Sequence, residues 1–313
     1  PALREAEVVL ASPSLVDLLP AFVHRWRCGS RVGVFAFHLG DARAAGDLGR
    51  PLRARLARLA SAPERALLRL ADRVFTSATD VAEQLAALGV TRARIVRRPP
   101  IVDVAAIRAA TPRSAPDILF VGRLVARKGV FDLIEAASGL RTETGLEATV
   151  GLVGEGEEAD ALRRAIAAAR LEGRVKLLGG VDDDTLYGLM RGARVLVLPS
   201  FEEGYGLVIA EALVAGAAVV AYALPHYDEA FGDAIVQTSP GDIAALRSAL
   251  QRALHAPRDI ERASAVAALR LETPERAARA VIATFAQPGV SSAGSGGPSS
   301  LSRSGSESGT SRR

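Results

Sequence analysis

Two glutamates, Glu203 and Glu211, stand eight residues apart across a short Gly-Tyr-Gly turn at 204–206. The apolar stretch that follows, 207–215, predicts a buried helix that ends at Gly216. Glu211 lies inside this helix, where a charge without a partner is costly. We therefore expect a ligand or another side chain to satisfy the Glu211 carboxylate.

The same turn predicts a binding site for an anion. The backbone N–H groups of Gly206, Leu207 and Val208 would point outward from the helix N-terminus, and glycines let a ligand approach closely. One turn further on, Glu211 could accept hydrogen bonds from the vicinal diol of a ribose. Glu203, at the other end of the turn, would face a group beyond the phosphates. The two glutamates therefore suit a nucleotide that carries a sugar.

A pair of cations occupies an earlier turn in the sequence LFVGRLVARKG, 119–129. A buried strand ends at Gly122, and Arg123 and Lys128 bracket the turn into the next helix. Ligands of open α/β sheets bind at this end of the strands. Lysine occurs at only two positions, Lys128 and Lys176, so an ammonium retained here favours a phosphate ligand. The alternative is an exposed lysine at the start of a helix.

The sequence GLVGEGEEADAL, 151–162, superficially matches the glycine pattern of dinucleotide-binding folds. Glu155, Glu157 and Glu158 would repel a pyrophosphate, and the strand before them is the second of its domain. We therefore expect a tight turn that contains glycine. An oxidoreductase that binds nicotinamide at this turn is the rival interpretation.

Three consecutive acidic residues, Asp182 to Asp184, precede an apolar helical pattern. They could be taken for an Asp-x-Asp metal site. Carboxylates at the start of a helix are favoured by capping and by the helix dipole. We therefore predict an N-cap here and no metal site.

Short apolar strands alternate with helices along most of the chain, which predicts parallel sheets. The expected strands are 7–11, 31–37, 73–76 and 94–97, then 117–121, 148–153, 175–178, 195–198 and 217–222. Helices are expected at 243–254 and from Pro274 to about residue 286. The predicted units are a first domain at 1–115, a second domain at 116–256, C-terminal helices at 257–287 of which the last packs back toward the first domain, and a disordered Ser/Gly-rich tail at 288–313.

The composition narrows the class of protein. The 313 residues are 49% hydrophobic and carry a net charge of +4, and the pI is near 9.7. This balance suits an anionic ligand or membrane surface, whereas the lack of aromatic residues among the basic ones disfavours nucleic acid. The single cysteine, Cys28, excludes an internal disulfide and fits a reducing compartment. No apolar run is long enough to span a membrane, so we expect a cytoplasmic protein.

The Arg-rich segment 50–73 contains regularly spaced leucines. This pattern predicts an amphipathic pair of surface helices with a solvated arginine face. The alternative is peripheral contact with anionic lipid headgroups at the inner face of the membrane.

The stretch SFEEGYGLVIAEALVAGAAVVA resembles the E-x7-E signature of retaining GT-B glycosyltransferases of the family 4 type, also described as glycosyl transferases group 1. VGRLVARKG, VGEGEE, VKLLGGV and VLVLPSFEEGYG resemble other motifs of that family in the same order. The resemblance covers about 116–256. It implies a GT-B fold, in which two Rossmann-like domains face a cleft, and an enzyme that needs neither metal nor cofactor.

The resemblance also implies roles for individual residues. Gly122, Arg123 and Lys128 would hold the donor diphosphate, and Glu211 the nucleotide ribose. Glu203 would contact the donor sugar as a catalytic residue, beside the amides of four further residues, Gly204, Tyr205, Gly206 and Leu207.

In the first domain, VGVFAFHLGD resembles the strand that ends in a histidine beside the acceptor, which would make His38 a second catalytic residue. The opening strand and glycine-rich loop of the family are not found, so we expect them upstream of Pro1 and the first domain to be partial.

The function implied is transfer of a hexose from a nucleotide diphosphate sugar to a hydroxyl acceptor, with retention of the anomeric configuration. The acceptor would be a saccharide, a lipid-linked molecule or another alcohol. The alternative is a non-catalytic nucleotide-sugar-binding remnant of such an enzyme. A sugar-nucleotide epimerase of the same architecture fits less well, because its acid and base groups are not found.

Overall fold

The computed structural model describes residues 7–36, 62–142, 144–256 and 271–286. Within these ranges, helices alternate with parallel strands that form two separate sheets. The α/β class expected from the sequence is therefore confirmed. Four segments predicted above lie partly or wholly outside the described residues: the Arg-rich stretch up to residue 61, the end of the strand predicted at 31–37, most of the segment 257–273, and the tail 288–313.

Among the described residues, the first sheet contains four parallel strands in the order β1-β2-β3-β4. The strands are β1 (Val8–Ala11), β2 (Arg31–Phe35), β3 (Arg73–Thr76) and β4 (Ile95–Arg97). The helices along this part of the chain are α1 (Leu15–Cys28), α2 (Ala62–Leu70), α3 (Thr79–Ala87) and α4 (Val104–Ala109).

In the part of the chain that the structure describes, the second sheet contains six parallel strands in the order β10-β9-β8-β5-β6-β7. The strands are β5 (Ile118–Val121), β6 (Val150–Val153), β7 (Val175–Gly179), β8 (Val195–Leu198), β9 (Ala218–Tyr222) and β10 (Val236–Thr238). The helices are α5 (Val130–Ala137), α6 (Ala159–Ala168), α7 (Asp183–Gly192), α8 (Leu207–Ala215), α9 (Tyr227–Ala230), α10 (Ile243–His255) and α11 (Pro274–Ala286).

The central strands of the second sheet are apolar at every position because helices cover both faces. All four residues of β6 and all four of β8 are buried. Continuous apolar strands of this kind are typical of parallel sheets. The core around them is built mainly from Leu, Val, Ile and Ala, in keeping with an aromatic content of 4%.

The observed strands begin or end within two residues of the predicted bounds in the described part of the chain. The strand β10 was not predicted, because its three residues are too short for an alternating pattern and include the polar Gln237. It forms at the edge of the sheet by pairing with β9. Its existence therefore depends on a neighbour that is already in place.

The last helix, α11, packs against the first sheet. The ring of Phe285 lies 6.0 Å from that of Phe75 on β3, and Val281 belongs to the same cluster. On β2, a Cβ added at Gly33 would lie 2.9 Å from the Phe285 ring, so the glycine makes room for it. The C-terminal helix thus completes the core of the first sheet.

The order of the strands in the second sheet changes direction between the neighbouring strands β5 and β8. Strands β6 and β7 lie on one side of β5, and β8, β9 and β10 lie on the other. The loops after β5 and β8 therefore diverge from a crevice at the carboxyl edge of the sheet, where ligands of such folds bind. The motifs that contain Lys128 and Glu203 follow these two strands.

None of the helices in the described ranges is both long enough and apolar enough to cross a bilayer.

We predict that Phe285→Ala destabilises the first sheet by about 3 kcal/mol, because it removes a buried ring and leaves a cavity. Ile282→Ala on the same helix is the matched control, since Ile282 is 68% exposed. Urea denaturation followed by circular dichroism would measure both. Equal, small effects of the two substitutions would contradict the packing described for α11.

Candidate active site

Two turns at the carboxyl edge of the second sheet lie in direct contact. Gly129 follows the short helical turn Ala126–Lys128 and has a φ of 65°. A Cβ at this position would lie 1.8 Å from the carbonyl oxygen of Pro199, directly after β8. The N–H of Phe201 donates to the carbonyl of Arg127 at 2.9 Å. Glycine is therefore required at 129, and the close approach fixes one turn against the other.

This contact places Lys128 beside Glu203. The Lys128 ammonium lies 2.5 Å from Oε1 of Glu203, and the Ser200 hydroxyl donates to the same oxygen at 2.9 Å. Both charged side chains are largely buried, at 16% and 13% exposed. A mostly buried ion pair with a further hydrogen bond holds its members in one orientation. The ammonium is thus pre-positioned in the crevice.

Helix α8 begins at this crevice, and its first amides have no acceptor among the described residues. Gly206, at the N-cap, has a φ of 83° and supplies no side chain to cap the helix. Within the described part of the chain, the N–H groups of Leu207 and Val208 donate to no residue. These free donors and the positive end of the helix dipole suit an anion.

The other glutamate of the pattern, Glu211, is the fifth residue of α8 and is partly buried. It makes no hydrogen bond or ion pair with a described residue. Burial, and secondarily the negative charge of Asp183 on α7, raise its pKa to about 7. No described residue thus supplies the partner expected from the sequence, which leaves the carboxylate able to accept hydrogen bonds from a ligand.

The acidic run before α7 contains a helix cap. The Asp182 carboxylate accepts a hydrogen bond from the N–H of Thr185 at 2.7 Å, and this bond is the main reason why the pKa of Asp182 is lowered. The predicted N-cap is therefore confirmed. Asp183 is the member of the run that influences the site, through its charge on Glu211.

The glycines of the GEGEE turn contact protein backbone. A Cβ at Gly154 would lie 2.0 Å from the carbonyl oxygen of Gly122, and one at Gly156 would lie 2.2 Å from that of Leu124. The backbone of the loop after β5 therefore lies directly against both glycines. These glycines therefore serve the packing of two loops, as expected for a tight turn.

Of the remaining residues predicted for the site, some lie at the crevice and one lies outside the described residues. Gly122 and Arg123 follow β5 directly, and the Arg123 side chain is exposed, without an ion pair to any described residue. Gly204 and Tyr205 form the turn before α8, and the Tyr205 ring packs edge-on against Phe231 at 5.3 Å. The predicted acceptor residue, His38, lies outside the described residues.

Two residues near the site were missed by the sequence reasoning. Ser200 binds Glu203, and its position three residues earlier in the same turn could have suggested this. The buried Tyr227 hydroxyl has no hydrogen-bond partner in the described ranges and would lie 3.1 Å from a Cβ at Gly206. No pattern in the sequence links Tyr227 to that turn.

Comparison with known proteins identifies the family of this chain. The family model for glycosyl transferases group 1 matches residues 105–270. Glycogen synthase of Mycobacterium tuberculosis is 32% identical over 224 residues, which are 69% of this chain and 53% of the synthase. The O-antigen chain mannosyltransferase B of Escherichia coli is 34% identical over 137 residues, covering 44% of this chain and 36% of that protein. The chain thus spans about half the length of these relatives or less.

Solved structures show the same fold. Anabaena HepE, in complex with UDP and glucose, superposes with a TM-score of 0.68 at 18% identity, over 91% of this chain and 80% of HepE. Sucrose-phosphate synthase from Thermosynechococcus elongatus gives 0.63 at 22% identity, over 90% of this chain and 74% of that one. These likenesses confirm the GT-B fold. Because the family model covers just over half of the sequence, this chain belongs to the glycosyl transferases group 1 family.

Proposed function

We propose that this chain binds a nucleotide diphosphate sugar in the crevice between the turns after β5 and β8. We further propose that it transfers the hexose to an acceptor hydroxyl with retention of configuration. The observation that carries the proposal is the Lys128–Glu203 ion pair beside the unpaired amides of α8. A cation held in place next to a helix N-terminus is suited to a diphosphate.

The donor would lie along the crevice with its phosphates at the start of α8 and its ribose at Glu211. Its phosphates would contact Lys128, the exposed Arg123 and the amides of Leu207 and Val208. Its ribose hydroxyls would donate to Glu211, whose carboxylate has no partner among the described residues. This ribose contact would remove the mismatch between the half-buried position of Glu211 and its charge.

The transfer step breaks the bond between the anomeric carbon and the phosphate oxygen and forms a bond to the acceptor oxygen on the same face of the sugar. Negative charge builds on the leaving diphosphate, where Lys128, Arg123 and the start of α8 would stabilise it. The acceptor proton would pass to the departing phosphate oxygen. Glu203 would contact the sugar while it orients Lys128.

The relatives support a broad class of donor and a broad class of acceptor. HepE has been solved with UDP, and a phosphatidyl-myo-inositol mannosyltransferase is 36% identical over 157 residues. A nucleotide-sugar donor and a saccharide or lipid-linked acceptor are therefore our proposal for this chain. Peripheral membrane contact through the segment 50–73 remains a proposal of the same kind.

The direct test is to incubate the chain with a panel of nucleotide sugars, each with and without saccharide and lipid-linked acceptors. Release of nucleoside diphosphate reports transfer, and NMR of the product gives its anomeric configuration. We expect acceptor-dependent release with retention. Nucleotide binding without release would favour the non-catalytic alternative, and absence of both would refute the proposal.

We predict that Lys128→Ala lowers kcat/KM by roughly 100-fold, because a preorganised charge on the leaving group is lost. The other lysine, Lys176, is exposed on β7, and Lys176→Ala is the matched control with unchanged kinetics. Steady-state assays in EDTA would measure both, and activity should persist there. A strict need for Mn²⁺ or Mg²⁺, or equal effects of the two substitutions, would count against the assigned role.

We predict that Glu211→Gln weakens binding of a ribonucleoside diphosphate by about 1–3 kcal/mol, the value of hydrogen bonds to a charged group. The substitution should have little effect on the 2′,3′-dideoxy analogue, which lacks the hydroxyl donors. Isothermal titration calorimetry with UDP and dideoxy-UDP gives the comparison. Equal losses for the two ligands would exclude the ribose contact.

Binding should also depend on pH through Glu211, whose pKa in the ligand-free protein is about 7. The ionised carboxylate is the form that accepts two hydroxyl donors, so affinity should rise with pH. Between pH 6 and 7.5 we expect a gain of roughly fivefold to tenfold in the affinity for UDP. Glu211→Gln should remove this gain while retaining any change caused by titration of the phosphates. An identical pH profile for both proteins would contradict the assignment.

A further inference from the structure

Side chains of the first domain contact the short helix α9 of the second sheet's domain and the residue just before it. The Glu229 carboxylate accepts a hydrogen bond from the Thr79 hydroxyl at 2.5 Å and pairs with Arg97 at 2.5 Å. Just before the helix, Nδ1 of His226 lies 3.6 Å from the carboxylate of Asp80. Thr79 and Asp80 begin α3, and Arg97 ends β4, so two elements of the first domain meet α9.

The same helix supports the turn that contains Glu203. The Tyr227 ring packs edge-on against His226 at 4.8 Å and against Phe231 at 5.5 Å, and Phe231 packs against Tyr205 at 5.3 Å. The Tyr227 hydroxyl reaches the N-cap of α8, where it lies 3.1 Å from the site of a Cβ at Gly206. A continuous series of contacts thus leads from the first domain to the donor turn.

Tyr227, the last residue of this series, lies close enough to Glu203 for the glutamate charge to affect the pKa of its hydroxyl. Burial, and then the charge of Glu203, raise the pKa of Tyr227. The phenol therefore stays protonated, as a hydrogen-bond donor that is fully buried near the Glu203 carboxylate.

We propose that Glu229 is a positioning residue: by binding Thr79 and Arg97 across the domain boundary, it holds α9, and through Tyr227 the turn 203–206, in the arrangement needed for sugar transfer. This inference rests on the proposed function. The role of Glu229 is to transmit the docking of the first domain to the turn.

The ion pair itself is half exposed, with side-chain exposures of 51% for Arg97 and 52% for Glu229. Exposed ion pairs of this kind contribute little to stability. Variants of either residue should therefore fold normally, and their effect should be on the geometry of the turn. The contacts proposed between the nucleotide and the side chains of Glu211 and Arg123 should be unaffected.

The test uses Arg97→Ala, Glu229→Gln and the double variant, with Arg97→Lys as the conservative change. With a sugar nucleotide that the wild-type chain uses, each single variant should lower kcat by about tenfold, since misplacement of the turn acts on the reacting group. The Kd for UDP should change by less than about twofold, and the double variant should be no worse than either single one. Arg97→Lys should retain most of the activity.

The matched control is Arg92→Ala, which breaks the exposed Arg92–Glu83 pair within the first domain and should leave kcat unchanged. Wild-type kcat in both single variants, or a loss of UDP affinity as large as the loss of kcat, would overturn the inference.

Hydrogen exchange separates this inference from the proposed function. If the wild-type chain transfers no sugar, the proposed function fails on its own test. Hydrogen exchange still shows whether Glu229 holds the turn 203–206 in place. Peptides that cover 202–210 should exchange faster in Arg97→Ala and Glu229→Gln than in the wild type, whereas peptides that cover β6 should not change. Equal exchange of 202–210 in all three proteins would refute the positioning role.

Discussion

The candidate site depends on one close approach, that of Gly129 to the carbonyl of Pro199. This contact brings the loop after β5 against the loop after β8, two strands that neighbour each other at the centre of the second sheet. A side chain at position 129 would separate the loops, because its Cβ would overlap the carbonyl oxygen. The burial of the Lys128–Glu203 pair and the position of the Glu203 turn before α8 both follow from this packing.

Around this contact, the charges are arranged so that some are satisfied and others are not. Lys128 is paired with Glu203, whereas Arg123 is exposed and has no ion pair with any described residue. Among the described residues the first amides of α8 also lack acceptors, and burial raises the pKa of the Glu211 carboxyl to about 7. An anion and a pair of hydroxyl donors are what this set of groups lacks, and a nucleoside diphosphate provides both.

The sequence was informative wherever the signal was local. Helix α8 has the predicted bounds because Gly206 and Gly216 adopt left-handed conformations at its two ends, and Asp182 caps α7 as expected. The ion pair between Lys128 and Glu203 could not be predicted, because it depends on β5 and β8 being neighbours in the sheet although β6 and β7 lie between them in the sequence. The contact of Tyr227 with the Gly206 turn is non-local in the same way.

The central claim is that one crevice, between the turns after β5 and β8, binds the whole nucleotide. A crystal structure of the chain with UDP tests it most directly. We expect the phosphates within hydrogen-bond distance of the Leu207 and Val208 amides and of Lys128, with the ribose hydroxyls on Glu211. UDP bound at the GEGEE turn, or with its ribose away from Glu211, would contradict the account.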